Sequence, residues 1–334
     1  MTTTPFSAGS PVTQPVEVQD VARPRVLVTG AAGFLGSRVV ERLSAHGAFD
    51  VVGVDVVETA RSAVVGSLPR VTFRRADLRD SDDLDAVVVG CTSVVHLAAV
   101  RSRASVADPR LSFDVNVGGT YDLLLRATAH GVRRFVYGSS HLVYGAFTEP
   151  ARDPWFTEDE GAVRRGLTQY AAAKLACEAF VEAFCGDGGP EYVSLRFGGI
   201  YGPGAAPDSN SGAMLGVLES LDAGTPPEVD WTRDTRHALV YVDDAARAAV
   251  AALETPAVNL AVNVVGESLV CGDVYDTLVR LYGADPAVVR WTGARRRYQL
   301  VSRERYCAVL GGDTATPLAD GLQALVDWHR AGRP

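Results

Sequence analysis

A tyrosine and a lysine four residues apart, Tyr170 and Lys174, are the residues of this chain best suited to proton transfer. On a helix, this spacing places both side chains on one face. Lys174 is the only lysine among 32 basic residues, and all the others are arginine. The pKa of a free phenol is about 10, and a neighbouring ammonium would lower it toward neutral pH. The pair predicts a tyrosine base that oxidises an alcohol with a hydride-accepting cofactor, although a surface lysine on an alanine-rich helix has the same spacing.

A glycine-rich turn supplies the site that such a cofactor requires. The apolar run 25–29 leads into Gly30, Gly33 and Gly36, and a helical pattern follows. Glycines between a strand and a helix let the backbone approach a pyrophosphate, which the free N–H groups of the helix N-terminus attract. This order of strand, turn and helix predicts a dinucleotide site.

An acidic residue at the end of the next strand favours one dinucleotide over another. The run 51–55 ends in Asp55, 19 residues after Gly36. A carboxylate there suits the ribose hydroxyls of the adenosine and repels a 2′-phosphate. Asp55 therefore favours NAD over NADP, and Arg61, a few residues later, is a group that would weaken the preference.

Other predicted strands end in residues suited to the same site. The run 71–75 leads to Asp77, the run 93–99 ends in small residues, and a fifth strand runs into Ser140. Because helical stretches alternate with these strands, we expect a doubly wound parallel α/β sheet, whose ligands gather at the carboxyl ends of the strands. His96, inside the run 93–99, is interpreted as a core histidine.

Composition excludes several classes of function. The net charge of −8 leaves no broad basic face for a nucleic acid. Five cysteines without a C-x-x-C pattern indicate reduced thiols in a cytoplasmic protein. The six histidines show no metal-ligand spacing, so no metal is expected, and no apolar run approaches the roughly 20 residues of a membrane span.

The chain divides into three parts by composition. Residues 1–22 are predicted to be a disordered tail, and residues 23–196 a Rossmann-like NAD-binding domain that includes the Tyr170 helix. Residues 197–330 are richer in turn residues at their start and are predicted to form mainly a smaller substrate-binding region, with some segments returning to the first domain. A polar loop is expected over 100–110, followed by an amphipathic helix over 111–129.

Seven motifs in order identify a family. They are TGAAGFLG (29–36), Asp55, HLAA (96–99), Asn116, GSSHLVYG (138–145), YAAAK (170–174) and LRFGGIYGPG (195–204). Together they resemble the extended short-chain dehydrogenase/reductase family, in its NAD-dependent epimerase/dehydratase branch, over nearly the whole chain from about Arg25 to Arg330.

The resemblance assigns roles to residues of this chain. Tyr170 would be the general base or acid, Lys174 would lower its pKa and hold the nicotinamide ribose, and Ser140 would hydrogen-bond the reacting oxygen. The cofactor-binding residues expected from the strand ends and the motifs are Gly30, Gly33, Phe34, Leu35, Gly36, Asp55, Asp77, Leu78, Leu97, Ala98, Ala99, Asn116, Ser139, Tyr170, Lys174 and Phe197.

Departures from the family pattern reduce the number of reactions that the chain is expected to catalyse. Dehydratases of this branch follow the serine with Asp-Glu, whereas this chain has His141 and Leu142. A leucine cannot transfer a proton, so dehydration is not expected, and epimerisation or simple dehydrogenation remains. Gly199 replaces an asparagine that contacts the diphosphate, and His237, beside Arg236, replaces an arginine.

The substrate-side predictions follow from these positions. Arg101 and Arg103 offer a carboxylate or phosphate a bidentate partner, although solvated loop arginines are equally common. The predicted substrate-binding residues are Arg101, Arg103, Ser140, His141, Gly199, Arg236 and His237. The leading hypothesis is an NAD-dependent nucleotide-sugar epimerase that forms a homodimer. The alternatives are a dehydrogenase or ketoreductase of a free sugar acid or natural-product alcohol, and a non-catalytic NAD-binding regulator.

Overall fold

The computed structural model describes residues 23–145, 156–160, 166–186, 188–205, 210–293 and 300–332. The predicted tail 1–22 lies outside the described residues. The strands are β1 Arg25–Thr29, β2 Asp50–Asp55, β3 Val71–Arg75, β4 Ser93–His96, β5 Arg134–Ser140, β6 Glu191–Phe197, β7 Gly199–Tyr201, β8 Glu228–Val229, β9 Arg236–Tyr241, β10 Leu260–Val264, β11 Ser268–Val270 and β12 Arg290–Trp291. The α-helices are α1 Phe34–His46, α2 Ala60–Gly66, α3 Ser81–Val88, α4 Ser102–Ala107, α5 Pro109–Phe113, α6 Gly119–Ala129, α7 Gln169–Gly186, α8 Asn210–Asp222, α9 Val242–Glu254, α10 Cys271–Tyr282, α11 Glu304–Leu310 and α12 Leu318–Arg330.

A seven-stranded parallel sheet, in the order β10-β6-β5-β4-β1-β2-β3, organises the molecule. Along β1, Val26 and Val28 belong to one buried cluster and Leu27 to another, so both faces of the sheet are covered. This arrangement confirms the predicted doubly wound α/β fold. Two smaller sheets, β11-β9-β7 and β12-β8, come from the C-terminal half.

Three local predictions need correction. The seventh strand, β10, lies in the C-terminal half and was not predicted, although its residues return to the main sheet beside β6. The predicted polar loop 100–110 forms α4 and begins α5. The predicted helix 111–129 is interrupted by a π-helical turn, Asp114–Gly118, between α5 and α6. No helix within the described ranges is long and apolar enough to cross a membrane.

Candidate active site

A cavity of about 1280 Å³ opens at the carboxyl ends of the central strands. It is lined by most of the predicted site residues, which come from six strand ends or the loops after them and from α1, α4 and α7. Those residues are Gly30, Gly33, Phe34, Leu35, Gly36, Asp55, Asp77, Leu78, Leu97, Ala98, Ala99, Arg101, Arg103, Ser139, Ser140, His141, Tyr170, Lys174 and Phe197.

The glycine turn has the geometry of a dinucleotide cradle. Gly30 has φ +69°, and a Cβ there would lie 2.9 Å from the backbone nitrogen of Ala98. A Cβ on Gly36 would overlap the carbonyl oxygen of Gly30. Only glycine fits at these two positions, so the backbone of β1 and α1 stays close enough for a pyrophosphate to reach the N–H groups of α1. The turn therefore fits a dinucleotide.

Two carboxylates border the far end of this cradle. Asp55 accepts a hydrogen bond from the backbone N–H of Ala32 at 3.1 Å, which fixes the carboxylate beside the glycine turn. Asp77 accepts from Nε of Arg79 at 3.0 Å, and this hydrogen bond lowers the pKa of Asp77. The Asp55 carboxylate is placed to accept hydrogen bonds from ribose hydroxyls, which agrees with the predicted choice of NAD.

Lys174 is buried, with 3% of its surface exposed, and its ammonium is held by backbone. Its Nζ donates to the carbonyl oxygen of Gly138 at 2.7 Å and lies 5.8 Å from the ring centroid of Tyr170. Burial lowers the pKa of Lys174 to about 8, while Cys177 and Glu178 act in the opposite direction. Tyr170 and Lys174 lie on one helix, α7, as the spacing predicted.

The pKa of Tyr170 differs from the prediction. Burial raises it to about 12, and Arg101 opposes this rise. The expected lowering by Lys174 is not seen, because the desolvation of the phenol outweighs nearby charge. In the protein alone, Tyr170 is therefore protonated at neutral pH.

Ser140 is the last residue of β5 and His141 follows it, and both residues line the cavity. The Ser140 hydroxyl oxygen accepts a hydrogen bond from the Leu142 N–H at 3.3 Å, so its own hydrogen is left to donate. His141 Nδ1 lies 3.0 Å from the carbonyl oxygen of Phe197. Because a carbonyl only accepts, Nδ1 carries the hydrogen, and Nε2 is left as an acceptor. Burial lowers the pKa of His141, which favours this neutral form.

Asn116 does not line the cavity, contrary to its predicted contact with the cofactor. The residue is 2% exposed, and its amide bonds the backbone of Val100, accepting from N at 2.7 Å and donating to O at 2.9 Å. Asn116 thus holds the loop that follows β4, the loop that carries Ala98 and Arg101 into the cavity.

Two predicted substrate residues, Gly199 and Arg236, lie elsewhere. Gly199 is buried in β7 opposite Leu239, and Arg236 is exposed on β9. Neither lines the cavity. The backbone of His237 pairs with Leu269, and its side chain lies outside what the structure describes.

Sequence reasoning missed the end of the cavity that lies away from the glycine turn. This end is lined by residues of α8, the turn after β8, and α10: Ala213, Met214, Asp230, Trp231, Val274 and Tyr275. Trp231 is a large aromatic in a turn-rich stretch, which is the one signal that the sequence offered. The positions of the others depend on how α8 and α10 pack together and could not be read from a local pattern.

The fold and the cavity define a dinucleotide-dependent enzyme of the extended short-chain dehydrogenase/reductase type. Residues 26–266 match the model of the NAD-dependent epimerase/dehydratase family, and the chain belongs to that family. The predicted family and the dependence on NAD are thereby confirmed.

The relatives include epimerases and dehydratases of nucleotide sugars. dTDP-glucose 4,6-dehydratase of Streptomyces griseus is 32% identical over 325 residues, covering 92% of this chain and 94% of that protein. UDP-glucose 4-epimerase of Thermotoga maritima, solved with UDP-glucose, has a TM-score of 0.81 at 26% identity, covering 92% of this chain and 99% of that one. MoeE5, solved with UDP-glucose and NAD, has a TM-score of 0.78 at 29% identity, with the same coverage.

Proposed function

We propose that this enzyme is an NAD-dependent epimerase that inverts a carbinol centre, with C4 as the first candidate, of a sugar carried on a nucleoside diphosphate. One observation carries the proposal: Ser140, Tyr170 and Lys174 line a single cavity with the glycine turn, while Leu142 stands where a dehydratase needs a proton-transferring residue. The nucleotide sugars bound by the relatives support the choice of substrate class.

In this mechanism the side chains position the reacting oxygen of the sugar and transfer one proton. Ser140 donates a hydrogen bond to the reacting oxygen, and Tyr170 accepts the hydroxyl proton and later returns it. Lys174 has three N–H donors, of which Gly138 takes one, so two are left for the site. NAD held by the glycine turn, Asp55 and Lys174 would supply the hydride acceptor, and return of the hydride to the opposite face of the sugar would invert the centre. The reaction consumes no oxidant, because the proton and the hydride both return.

The proposal is tested by incubating the purified protein with UDP-glucose, UDP-glucuronic acid or dTDP-glucose, with and without added NAD. We expect proton NMR to show two interconverting epimers of one sugar, with no NADH absorbance. Accumulation of NADH with a stoichiometric ketone product would contradict epimerisation. Mass spectrometry of the small molecules released on denaturation identifies co-purified NAD or sugar independently.

A dehydrogenase or ketoreductase of a free sugar acid or natural-product alcohol is the second candidate. It is favoured by the positions of Gly199 and Arg236, which leave the expected diphosphate contacts unfilled. Titration with uridine and thymidine diphosphates separates the two candidates. Saturable binding of either nucleotide supports the epimerase, and the absence of binding supports the alternative.

Location and assembly complete the proposal. All five cysteines are free, which supports a reducing, cytoplasmic setting.

An apolar face on α6 and α7 supports a homodimer: Tyr121 and Leu125 are each 39% exposed, and the Tyr121 ring packs edge-on against Phe180 and Phe184. We also propose that residues 197–330 mainly bind the substrate, because they line the end of the cavity away from the glycine turn.

A further inference from the structure

A buried carboxylate lies directly behind the candidate catalytic residues. Glu178 follows Lys174 by one turn of α7, and it accepts a hydrogen bond from the hydroxyl of Ser139 near the end of β5. Arg196, on β6, donates to the same carboxylate through Nε at 3.0 Å and Nη2 at 2.8 Å. The Arg196 and Glu178 side chains are only 8% and 10% exposed. One carboxylate therefore joins the three elements around the site.

The guanidinium of Arg196 is fixed from its other side as well. Its Nη1 donates to the Tyr144 hydroxyl oxygen at 2.9 Å and to the carbonyl oxygen of Glu158 at 3.3 Å. The Tyr144 hydroxyl in turn donates to Oδ1 of Asn263 at 2.8 Å. A buried ion pair adds little stability compared with apolar residues of the same volume, so a pair held this rigidly points to a role in geometry.

We propose that Glu178 is a positioning residue that sets Lys174 and Tyr170, on α7, in register with Ser140, on β5. This inference rests on the proposed function only for the identity of the reaction. Ser140 follows Ser139 directly, so the bond from Ser139 to Glu178 fixes the end of β5 against α7. An error of about 1 Å between reacting groups costs roughly 100-fold in rate, which gives such a bond kinetic importance.

The charge of Glu178 has a second consequence, at Lys174. The titratable groups that face the Lys174 ammonium come from three elements: Tyr170, Cys177 and Glu178 on α7, Tyr137 on β5, and His96 on β4. Burial raises the pKa of the two tyrosines and of Cys177 and lowers that of His96, so these four groups are uncharged near neutral pH. Glu178 is the one carboxylate among them, and it favours the charged form of Lys174.

The single lysine makes this arrangement directly measurable. Protein labelled with ¹³C at the lysine ε-carbon gives one side-chain signal, whose pH titration reports Lys174 alone. We expect a midpoint near pH 8 in the wild type, and a midpoint lower by roughly 1 pH unit in Glu178→Gln. Glu178→Asp keeps the charge and should keep the midpoint, and Glu182→Gln, at an exposed carboxylate one turn further along α7, is the matched control. An unchanged midpoint in Glu178→Gln would overturn the electrostatic part.

Kinetics tests the positioning part. With the nucleotide sugar that the enzyme turns over, kcat should fall roughly 10- to 100-fold in Glu178→Asp, with KM unchanged, because the shortened side chain no longer reaches Ser139. Should Glu178→Gln not fold, Ser139→Ala removes the same link and should lower kcat while leaving the lysine midpoint in place. Wild-type kcat in both Glu178→Asp and Ser139→Ala would overturn the proposal. The lysine titration needs no substrate, so a wrong substrate class would not affect it.

Discussion

Burial acts in opposite directions on the pKa values of Tyr170 and Lys174, the two residues of helix α7 predicted to take part in proton transfer. It raises the pKa of Tyr170 to about 12 and lowers the pKa of Lys174 to about 8, so in the protein alone both shifts favour the uncharged forms. The phenol is therefore an inactive base until a ligand changes its surroundings. Such a site keeps proton transfer coupled to occupancy of the cavity.

Replacing Tyr170 with phenylalanine removes the proton carrier and little else. We expect Tyr170→Phe to lower kcat by roughly 100- to 10,000-fold, the usual contribution of general acid–base catalysis. NAD content, measured after denaturation, should not change. Tyr121→Phe, on the surface, is the matched control, and substantial residual turnover in Tyr170→Phe would assign the base to another group.

His141 is expected to bind a substrate hydroxyl through Nε2. Because Phe197 fixes the hydrogen on Nδ1, the ring presents an acceptor to the cavity. We expect His141→Ala to lower kcat/KM by roughly 10-fold, the cost of one lost hydrogen bond. His130→Ala, on the surface, serves as the control. An unchanged kcat/KM and pH profile in His141→Ala would leave His141 as a polar residue at a strand end.

The chemistry that the sequence revealed is the part encoded locally. Tyr170, Lys174 and Ser140 were found because a helical turn or a strand end places each of them with few intervening residues. Glu178 and Arg196 were not found, since their pairing joins α7 to β6 through packing that no short pattern describes. The fall in the pKa of Tyr170 was wrongly predicted, because spacing reports proximity and says nothing about desolvation.

His96 links three elements through both ring nitrogens. Its Nδ1 lies 2.7 Å from the hydroxyl of Thr29, on β1, and its Nε2 lies 2.8 Å from the hydroxyl of Thr120, on α6. The Thr29 hydroxyl oxygen also accepts from the N–H groups of Leu97 and Ala98. The histidine is 1% exposed, which agrees with its interpretation as a core residue.

This histidine makes the sheet sensitive to acid. Burial lowers the pKa of His96 to about 3, while in the unfolded chain it is near 6.5. Between these values the unfolded chain binds a proton that the folded chain does not, so stability falls as the pH decreases. We expect this residue to reduce the free energy of unfolding by about 2 kcal/mol between pH 7 and pH 5. Urea unfolding of wild type and His96→Gln at both pH values measures this change. An equal decrease in the free energy of unfolding of the two proteins between pH 7 and pH 5 would contradict the assignment.

Elements were predictable to the extent that their periodicity is strong. The five N-terminal strands and α1, α7 and α9 follow clear apolar patterns. Strand β10 was missed because Leu260–Val264 is a short run far from the other strands in sequence, and only its pairing with β6 makes it part of the sheet. Helix α4 and the first residues of α5 were missed because the segment 100–110 is short and rich in polar residues, and Asp108 caps α5 where a loop was expected.

The C-terminal half contacts the dinucleotide end of the molecule through Arg61. Its Nη2 donates to the carbonyl oxygen of Gly204 at 2.8 Å, across 143 residues of sequence. Gly204 also lies against Phe34, and both Arg61 and Phe34 line the cavity. The hydrogen bond from Arg61 therefore holds the segment around Gly204 beside the glycine turn.

Loss of the hydrogen bond between Arg61 and Gly204 should make NAD dissociate faster. We expect Arg61→Ala to accelerate NAD release by roughly 10-fold, which corresponds to one hydrogen bond from a charged donor. Displacement of bound NAD by an isotopically labelled pool measures the rate. Arg110→Ala, whose side chain is 81% exposed, is the control, and equal rates in both variants would mean that the segment does not limit release.

The apolar face on α6 and α7 gives a prediction for the whole assembly. Leu125→Glu places a charge on that face and should convert a dimer into a monomer in sedimentation velocity experiments, because a buried unpaired charge is strongly unfavourable. Val64→Glu, at a residue of α2 that is 57% exposed, is the matched control. A monomeric wild type would refute the proposed homodimer.

Lys174 is the one lysine of the chain and the other Lys/Arg positions are all arginine, which has a practical consequence. Lys174 carries the only side-chain amine of this chain, so an amine-reactive reagent has no other lysine to modify. With its pKa near 8, that amine is partly unprotonated at mildly alkaline pH, but it is only 3% exposed. An acylating probe should therefore modify Lys174 only as the cavity opens, so mass spectrometry would measure the fraction of molecules in which the active site has opened.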